Sequence, residues 1–306
     1  METIVTLVKQ ILQMFLLGAV GFALFRRKKI SAEGSRALGN ILIYISLPAV
    51  IISSFLVERT PENLSGMLWS TAGAAVLLLV SILVSRLFFR KDAVAAFAGA
   101  FSNPGFFGVP LIIASVGQEA VFYVAGFIAF LNIGQWTYGV SILNGQPLRR
   151  GLTAGKLIRA PFVIAVLTGL LLFLTQLRLP SVLRSGLTAA ASLNTPLSMF
   201  TVGIYLAQTD LPAMLRRRKL YLISLARLVV IPLISLLLLT PLPGSMNGLK
   251  TALLLACACP VGSNVAVYAQ LHGKDYPYAV ETVAVSTLLS IVTIPAVIRL
   301  AEAIWR

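Results

Sequence analysis

The feature that most constrains this 306-residue chain is a succession of apolar runs, each long enough to cross a bilayer and separated by short polar loops. A helix needs about 20 consecutive apolar residues to traverse the hydrocarbon core. Ten segments qualify: residues 4–25, 36–57, 64–89, 93–116, 119–143, 157–177, 185–208, 218–240, 248–270 and 276–301. Most carry Leu, Ile, Val, Ala and Phe on every face, as a helix bathed in lipid or buried among other helices does. Only 11% of the residues are charged, against about 25% in soluble domains. No charged or Ser/Pro-rich stretch is long enough to form a soluble domain or linker. The expected fold is an all-α polytopic membrane protein with ten transmembrane helices.

The net charge of +15 would raise the question of nucleic acid in a soluble protein. Here the basic residues sit in short loops, the arrangement that fixes orientation in a membrane. Loops after odd-numbered spans hold 17 of the 25 Lys and Arg residues, the other side holds 7, and Arg227 lies inside span 8. That asymmetry predicts both termini on the outer side. In span 1 the charges Arg26, Arg27, Lys28 and Lys29 follow the apolar run and no small-residue cleavage site appears, so it is expected to be a permanent helix. Lipid, and not nucleic acid, is the expected macroscopic partner. Cys257 and Cys259 are too close for an ordinary disulfide, and His272 is the single histidine, so neither a metal site nor a cofactor is expected. Catalytic signatures such as His–Glu–x–x–His or a Ser–His pairing are absent, which argues against an enzyme.

The chain also repeats. Gly21 and Pro48 recur, 148 residues on, as Gly169 and Pro196. Pro104, Gly117 and Glu119 recur, 156 residues on, as Pro260, Gly273 and Asp275. Residues 1–150 and 151–306 thus each hold five spans, and an odd number per half forces the two copies into opposite orientations.

Spans 4 and 9 are interrupted at matching positions. Span 4 reads Phe101-Ser102-Asn103-Pro104-Gly105-Phe106-Phe107-Gly108-Val109-Pro110, and span 9 reads Ala258-Cys259-Pro260-Val261-Gly262-Ser263-Asn264. Proline inside a helix removes one hydrogen bond and clashes with the preceding turn. In hydrocarbon the freed groups need other partners, so such breaks persist where they are buried in protein or line a polar cavity. Paired Gly/Pro-interrupted spans in corresponding halves point to a midplane binding site. Half-helix N-termini favour negative charge. Asn103 and Asn264 add amide donors, and Ser102 and Ser263 add hydroxyls. The candidate substrate-binding set is Ser102, Asn103, Pro104, Gly105, Pro260, Ser263 and Asn264, with Asn132 of span 5 nearby; the ligand suited to it is a small anion.

The stretch from Asn103 to Leu111 resembles the span-4 signature of the auxin efflux carrier family, which includes bacterial malonate- and malate-type permeases and plant auxin exporters. Leu47-Pro48-Ala49, Thr195-Pro196-Leu197-Ser198-Met199 with Gly203, and Cys259-Pro260 to Asn264 are also similar to it. The resemblance covers nearly the whole chain. It implies two inverted five-helix repeats of the bile-acid transporter and sodium/proton antiporter kind, with spans 4 and 9 crossing at their breaks. Spans 1, 2, 6 and 7 would form a scaffold and spans 3–5 and 8–10 a mobile transport domain moving elevator-fashion. It further implies a small organic anion as substrate, a bacterial inner-membrane location, a homodimer formed through the scaffold, and Asn103 as the group that binds the substrate carboxylate. The sequence departs from the plant pattern after Pro260, where Val261 follows and the amide is delayed to Asn264.

Ionisable residues inside a membrane are functional candidates. Arg227 lies roughly 13 Å into span 8, where it either draws anions into the pathway, or snorkels toward the interface or pairs with backbone carbonyls. Glu281, about one turn into span 10, is either a proton carrier or an interfacial residue. Glu119 and Asp275 follow glycines at helix starts and read as caps. Spans 4, 5 and 9 have no carboxylate at their centres, which disfavours pure sodium or proton exchange. A proton- or sodium-coupled carrier of a neutral or steroid-like solute is the alternative on the same framework, and proton or sodium is the candidate coupling ion.

Overall fold

A computed structural model describes residues 2–146 and 160–305. Among these residues the protein is helical, with no strand beyond one isolated bridge. In chain order the helices are α1 (Glu2–Arg26), α2 (Ala32–Ser54), α3 (Pro61–Phe88), α4 (Ala93–Ala100), α5 (Pro104–Ser115), α6 (Gln118–Asn144), α7 (Pro161–Thr175), α8 (Ser181–Ser192), α9 (Asn194–Ala207), α10 (Leu211–Arg216), α11 (Arg218–Leu239), α12 (Asn247–Ala258), α13 (Asn264–Leu271) and α14 (Tyr276–Ile304). Six of them, α1, α2, α3, α6, α11 and α14, are long and apolar enough to cross a membrane.

Local sequence explains where helices begin and end. Ser31, Thr60, Asp92, Asp210 and Asp275 each accept a backbone N–H of the following first turn, the usual N-cap arrangement. Gly117 and Gly273, paired in the sequence repeat, both adopt positive φ just beyond a helix end, a conformation open to glycine without steric penalty. Asp275 caps α14 as expected. Glu119 does not cap, because a short 3₁₀ turn at Gln118–Ala120 precedes the α-helical part of α6 and no side chain bonds its start. The expected span 185–208 is divided between α8 and α9 at Leu193. Pro196 cannot donate to the Ser192 carbonyl one turn back, so the helix loses its continuity there. Residues 157–159 of the expected sixth span lie outside the described residues; its remainder forms α7.

Two sets of helix contacts dominate the packing. In one, α1 runs against α9, and α2 packs on α7 and α8. The first of these contacts is backbone to backbone: a Cβ on Gly203 would meet the Gly18 carbonyl oxygen at 1.9 Å, and one on Gly21 the Phe200 carbonyl oxygen at 2.4 Å. Glycine permits this approach, as in membrane helix pairs generally. In the other group, α3 packs on α4 and α6, and α14 on α11 and α13. The interior of that group is rich in aromatic side chains, with Phe97, Phe101, Phe107 and Phe127 buried and the Phe97 ring 4.8 Å from Phe101 and 5.2 Å from Tyr268.

Candidate functional site

Both predicted interruptions are present, and they pair with each other. The first lies between α4 and α5, the second between α12 and α13. Ser102 and Val261 form an antiparallel bridge. The Asn103 N–H donates to the Pro260 carbonyl at 3.0 Å, and the Gly262 N–H donates to the Phe101 carbonyl at 2.9 Å. Peptide groups that neither helix can satisfy internally are therefore satisfied by the opposite break, the condition under which irregular backbone survives away from water. The approach is tight: a Cβ on Gly262 would lie 2.7 Å from the Ser102 carbonyl oxygen.

Where the breaks meet, a cavity of about 30 Å³ is lined by Ser102, Asn103, Pro104, Gly105 and Phe106 from the first break and Gly262, Ser263 and Asn264 from the second. Ile128, Leu131 and Asn132 of α6 and Leu47 of α2 complete it. Every polar side chain on this wall is a neutral amide or hydroxyl. Asn103 is 5% exposed and does not cap the turn it precedes, and the Ser102 hydroxyl is buried with no hydrogen-bond partner among the described residues. The Asn264 amide donates to Gln135 Oε1 at 3.0 Å, and the Asn132 amide donates to the Ile128 carbonyl one turn back at 2.7 Å. Donors left uncommitted beside a small hole can receive an oxyanion without burying a compensating charge.

A second, larger cavity of about 820 Å³ lies between the ends of α2, α5 and α8 and the starts of α3, α6 and α9. Val50, one turn from Leu47, and Val109 border it, and Thr60, Asn63, Gln118, Glu119, Arg184 and Thr188 give it a polar rim.

Of the predicted residues, Ser102, Asn103, Pro104, Gly105, Asn132, Ser263 and Asn264 all line the small cavity. Pro260 contributes its carbonyl to the pairing of the breaks. Two candidates go elsewhere. The guanidinium of Arg227, which is fully buried, bonds backbone carbonyls and not the cavity wall: Nη1 donates to Gly99 at 3.1 Å and Ala100 at 3.2 Å, and Nη2 to Cys257. Glu281 pairs with Arg217 at 2.7 Å near the start of α14. Both cysteines are buried and unpaired, as packing residues are.

The model of the family described as "Membrane transport protein" matches residues 6–152 and 150–298 of this sequence. The chain belongs to that family. It is the auxin efflux carrier family whose span-4, span-7 and span-9 motifs this sequence resembles, and with its apolar helices it marks an integral membrane transporter. A Rhizobium meliloti (strain 1021) protein named "Putative malonate transporter" is 27% identical over 307 residues, covering 95% of this chain and 94% of its own.

Within this transporter, the candidate set drawn from the sequence did not include Gln135, the polar neighbour of Asn132 in span 5. It is buried and ties α6 to the start of α13 through its bond from Asn264. Its spacing from Asn132, three residues along one helix face, was the available signal. Ser198, which donates to the Phe106 carbonyl at 3.0 Å and so fixes the first break against α9, was not singled out for this role. Nothing in its local sequence distinguishes it from the many serines that bond their own helix.

Proposed function

We propose that this transporter moves a small organic anion, a mono- or dicarboxylate, across the bacterial inner membrane, with the substrate carboxylate bound at the paired breaks. The observation that carries the reading is the cavity at the crossing, whose polar lining consists of neutral amides and hydroxyls from both halves of the chain. Asn103 is the principal ligand, with Ser102, Ser263 and Asn264 beside it. The name of the Rhizobium meliloti relative supports malonate as the first substrate to try.

The chain is read as ten spans in two inverted halves, 1–150 and 151–306, with α4–α5 forming span 4, α8–α9 span 7 and α12–α13 span 9. Spans 1, 2, 6 and 7 form the scaffold, and spans 3–5 and 8–10 the moving domain; the two packing groups support this division. A cavity of about 30 Å³ matches the liquid volume of roughly one water. A carboxylate therefore enters only when the moving domain shifts the breaks away from Leu47, the one lining residue from the scaffold group. That is an elevator-like movement. Both termini face outward, the 820 Å³ cavity is the outer vestibule, and the assembly is a dimer through the scaffold.

Reconstituted protein should take up labelled malonate, and Asn103→Ala should lower that uptake at least tenfold while the variant remains folded. Uptake unchanged by the substitution would remove Asn103, and the cavity with it, as the binding site.

A further inference from the structure

We propose that Arg227 is the built-in counter-cation of the crossing: it fills the positions left by the backbone donors that the two breaks withdraw, and its charge favours an anion at the adjacent cavity. The inference rests on the carrier reading above and adds a positioning residue to it.

In an unbroken helix each carbonyl accepts the N–H four residues on. Gly99 would take Asn103, but the Asn103 N–H donates to Pro260. Ala100 would take residue 104, but Pro104 has no N–H. Cys257 would take Val261, but the Val261 N–H donates to Ser286 Oγ at 3.0 Å. These three orphaned carbonyls, from the C-terminal turns of α4 and α12, are the ones Arg227 binds. Both helix ends carry the negative pole of the helix dipole, so the spot is a cation site assembled from two half-helices. The guanidinium fork suits it, since two of its nitrogens reach carbonyls of different helices at once. A π-helical turn at Ala226–Val230, followed by Pro232, carries Arg227 at this depth, and such turns recur at functional positions. Among the described residues the salt bridges are Arg217–Glu281 and Lys219–Asp92, so no carboxylate neutralises Arg227. A pocket whose polar lining is neutral amides and hydroxyls thus begins two residues beyond a carbonyl that holds an uncompensated positive charge.

The test is Arg227→Ala, which deletes the guanidinium and leaves the carbonyls, followed by chemical rescue with guanidinium chloride at about 10 mM, far below denaturing concentrations. Two readouts are taken on purified protein: malonate affinity and melting temperature. The expected result is at least a tenfold loss of malonate affinity, restored to within about threefold by guanidinium and not by tetramethylammonium, which cannot donate hydrogen bonds. Guanidinium should also raise the melting temperature of the variant while leaving wild type unchanged or lowered, as a ligand of the folded state does. A folded variant with wild-type affinity, or one that guanidinium does not restore, overturns the proposal. If the alanine variant does not fold, Arg227→Lys decides. It keeps the charge without the fork, so it should melt lower yet hold malonate affinity within about fivefold, and a greater loss overturns the electrostatic role. If wild type binds no short carboxylate, the carrier reading fails, while the guanidinium-dependent melting of Arg227→Ala still decides whether Arg227 is the resident cation.

Discussion

Replacing Gly262 with alanine tests the crossing most directly. The new methyl would lie 2.7 Å from the Ser102 carbonyl oxygen and 3.3 Å from that of Phe101. Because Gly262 does not lie in the left-handed region, alanine meets no dihedral penalty, and the whole effect comes from this contact. Reaching ordinary van der Waals distance requires the breaks to part by about 0.7 Å, an overpacking that costs about 1–3 kcal/mol. The same displacement stretches the Gly262–Phe101 hydrogen bond from 2.9 Å past bonding range and weakens its neighbour from Asn103 to Pro260. Inside a membrane each such bond contributes about 0.6–1.7 kcal/mol. The total loss is then about 2–5 kcal/mol, with uptake falling in parallel because the same movement deforms the cavity. Thermal unfolding in detergent and malonate uptake in proteoliposomes measure the two effects. Gly39→Ala is the control: no atom lies within 4 Å of its would-be Cβ, and in mid-helix alanine is favoured by up to about 1 kcal/mol. A Gly262→Ala protein within about 0.5 kcal/mol of wild type, transporting normally, would show that the two breaks do not meet this closely.

Gly203→Ala should separate α1 from α9, since the added carbon would meet the Gly18 carbonyl at 1.9 Å; a melting-temperature drop equivalent to about 3 kcal/mol or more is expected, and a wild-type value would count against the backbone contact. The Asn264–Gln135 hydrogen bond should yield a coupling of about 0.5–1.5 kcal/mol in a double-mutant cycle with Asn264→Ala and Gln135→Leu, whereas strict additivity would mean that the two amides act independently. Asp92 caps α4 and also bonds Lys219 and the Tyr278 hydroxyl. Burial raises its carboxyl, but the Ala95 N–H, Lys219 and Tyr278 together hold it below its usual range. Its contribution is therefore complete above the ordinary aspartate value near 3.9 and is lost only as pH falls through the lower folded-state value. Asp92→Asn keeps the cap but loses the half-exposed ion pair with Lys219, so it should melt below wild type by about 0.2–1 kcal/mol at neutral pH, and the two curves should converge only below about pH 4. Convergence already at pH 6 would show that the carboxylate charge is not what matters.

The membrane character and the two breaks were legible because they depend on local chemistry: long apolar runs and prolines that cannot donate. The repeat was visible through the same residues, and Gly117 and Gly273 carry it into backbone conformation. What stayed hidden depends on distance along the chain. The destination of Arg227 was left open between carbonyls and the substrate path, since nothing near residue 227 says that Gly99 and Cys257 will be its neighbours. Gln135 and Asn264, which meet across 129 positions, could be recognised as polar but not as partners. The division of span 7 at Leu193 was overlooked although Pro196 announced it. Its consequence was missed because the hydrophobic run continues through the break.

The exchange of hydrogen bonds between the breaks bears on biogenesis. Phe101 and Asn103 hold peptide groups whose mates are Gly262 and Pro260, so the amino-terminal portion leaves the translocon with an unfinished segment. Those groups have no mates until the ribosome has delivered residues 260–262. A truncated message encoding only residues 1–150 should accordingly yield a polypeptide that inserts yet never matures, and that the cell's membrane proteases clear.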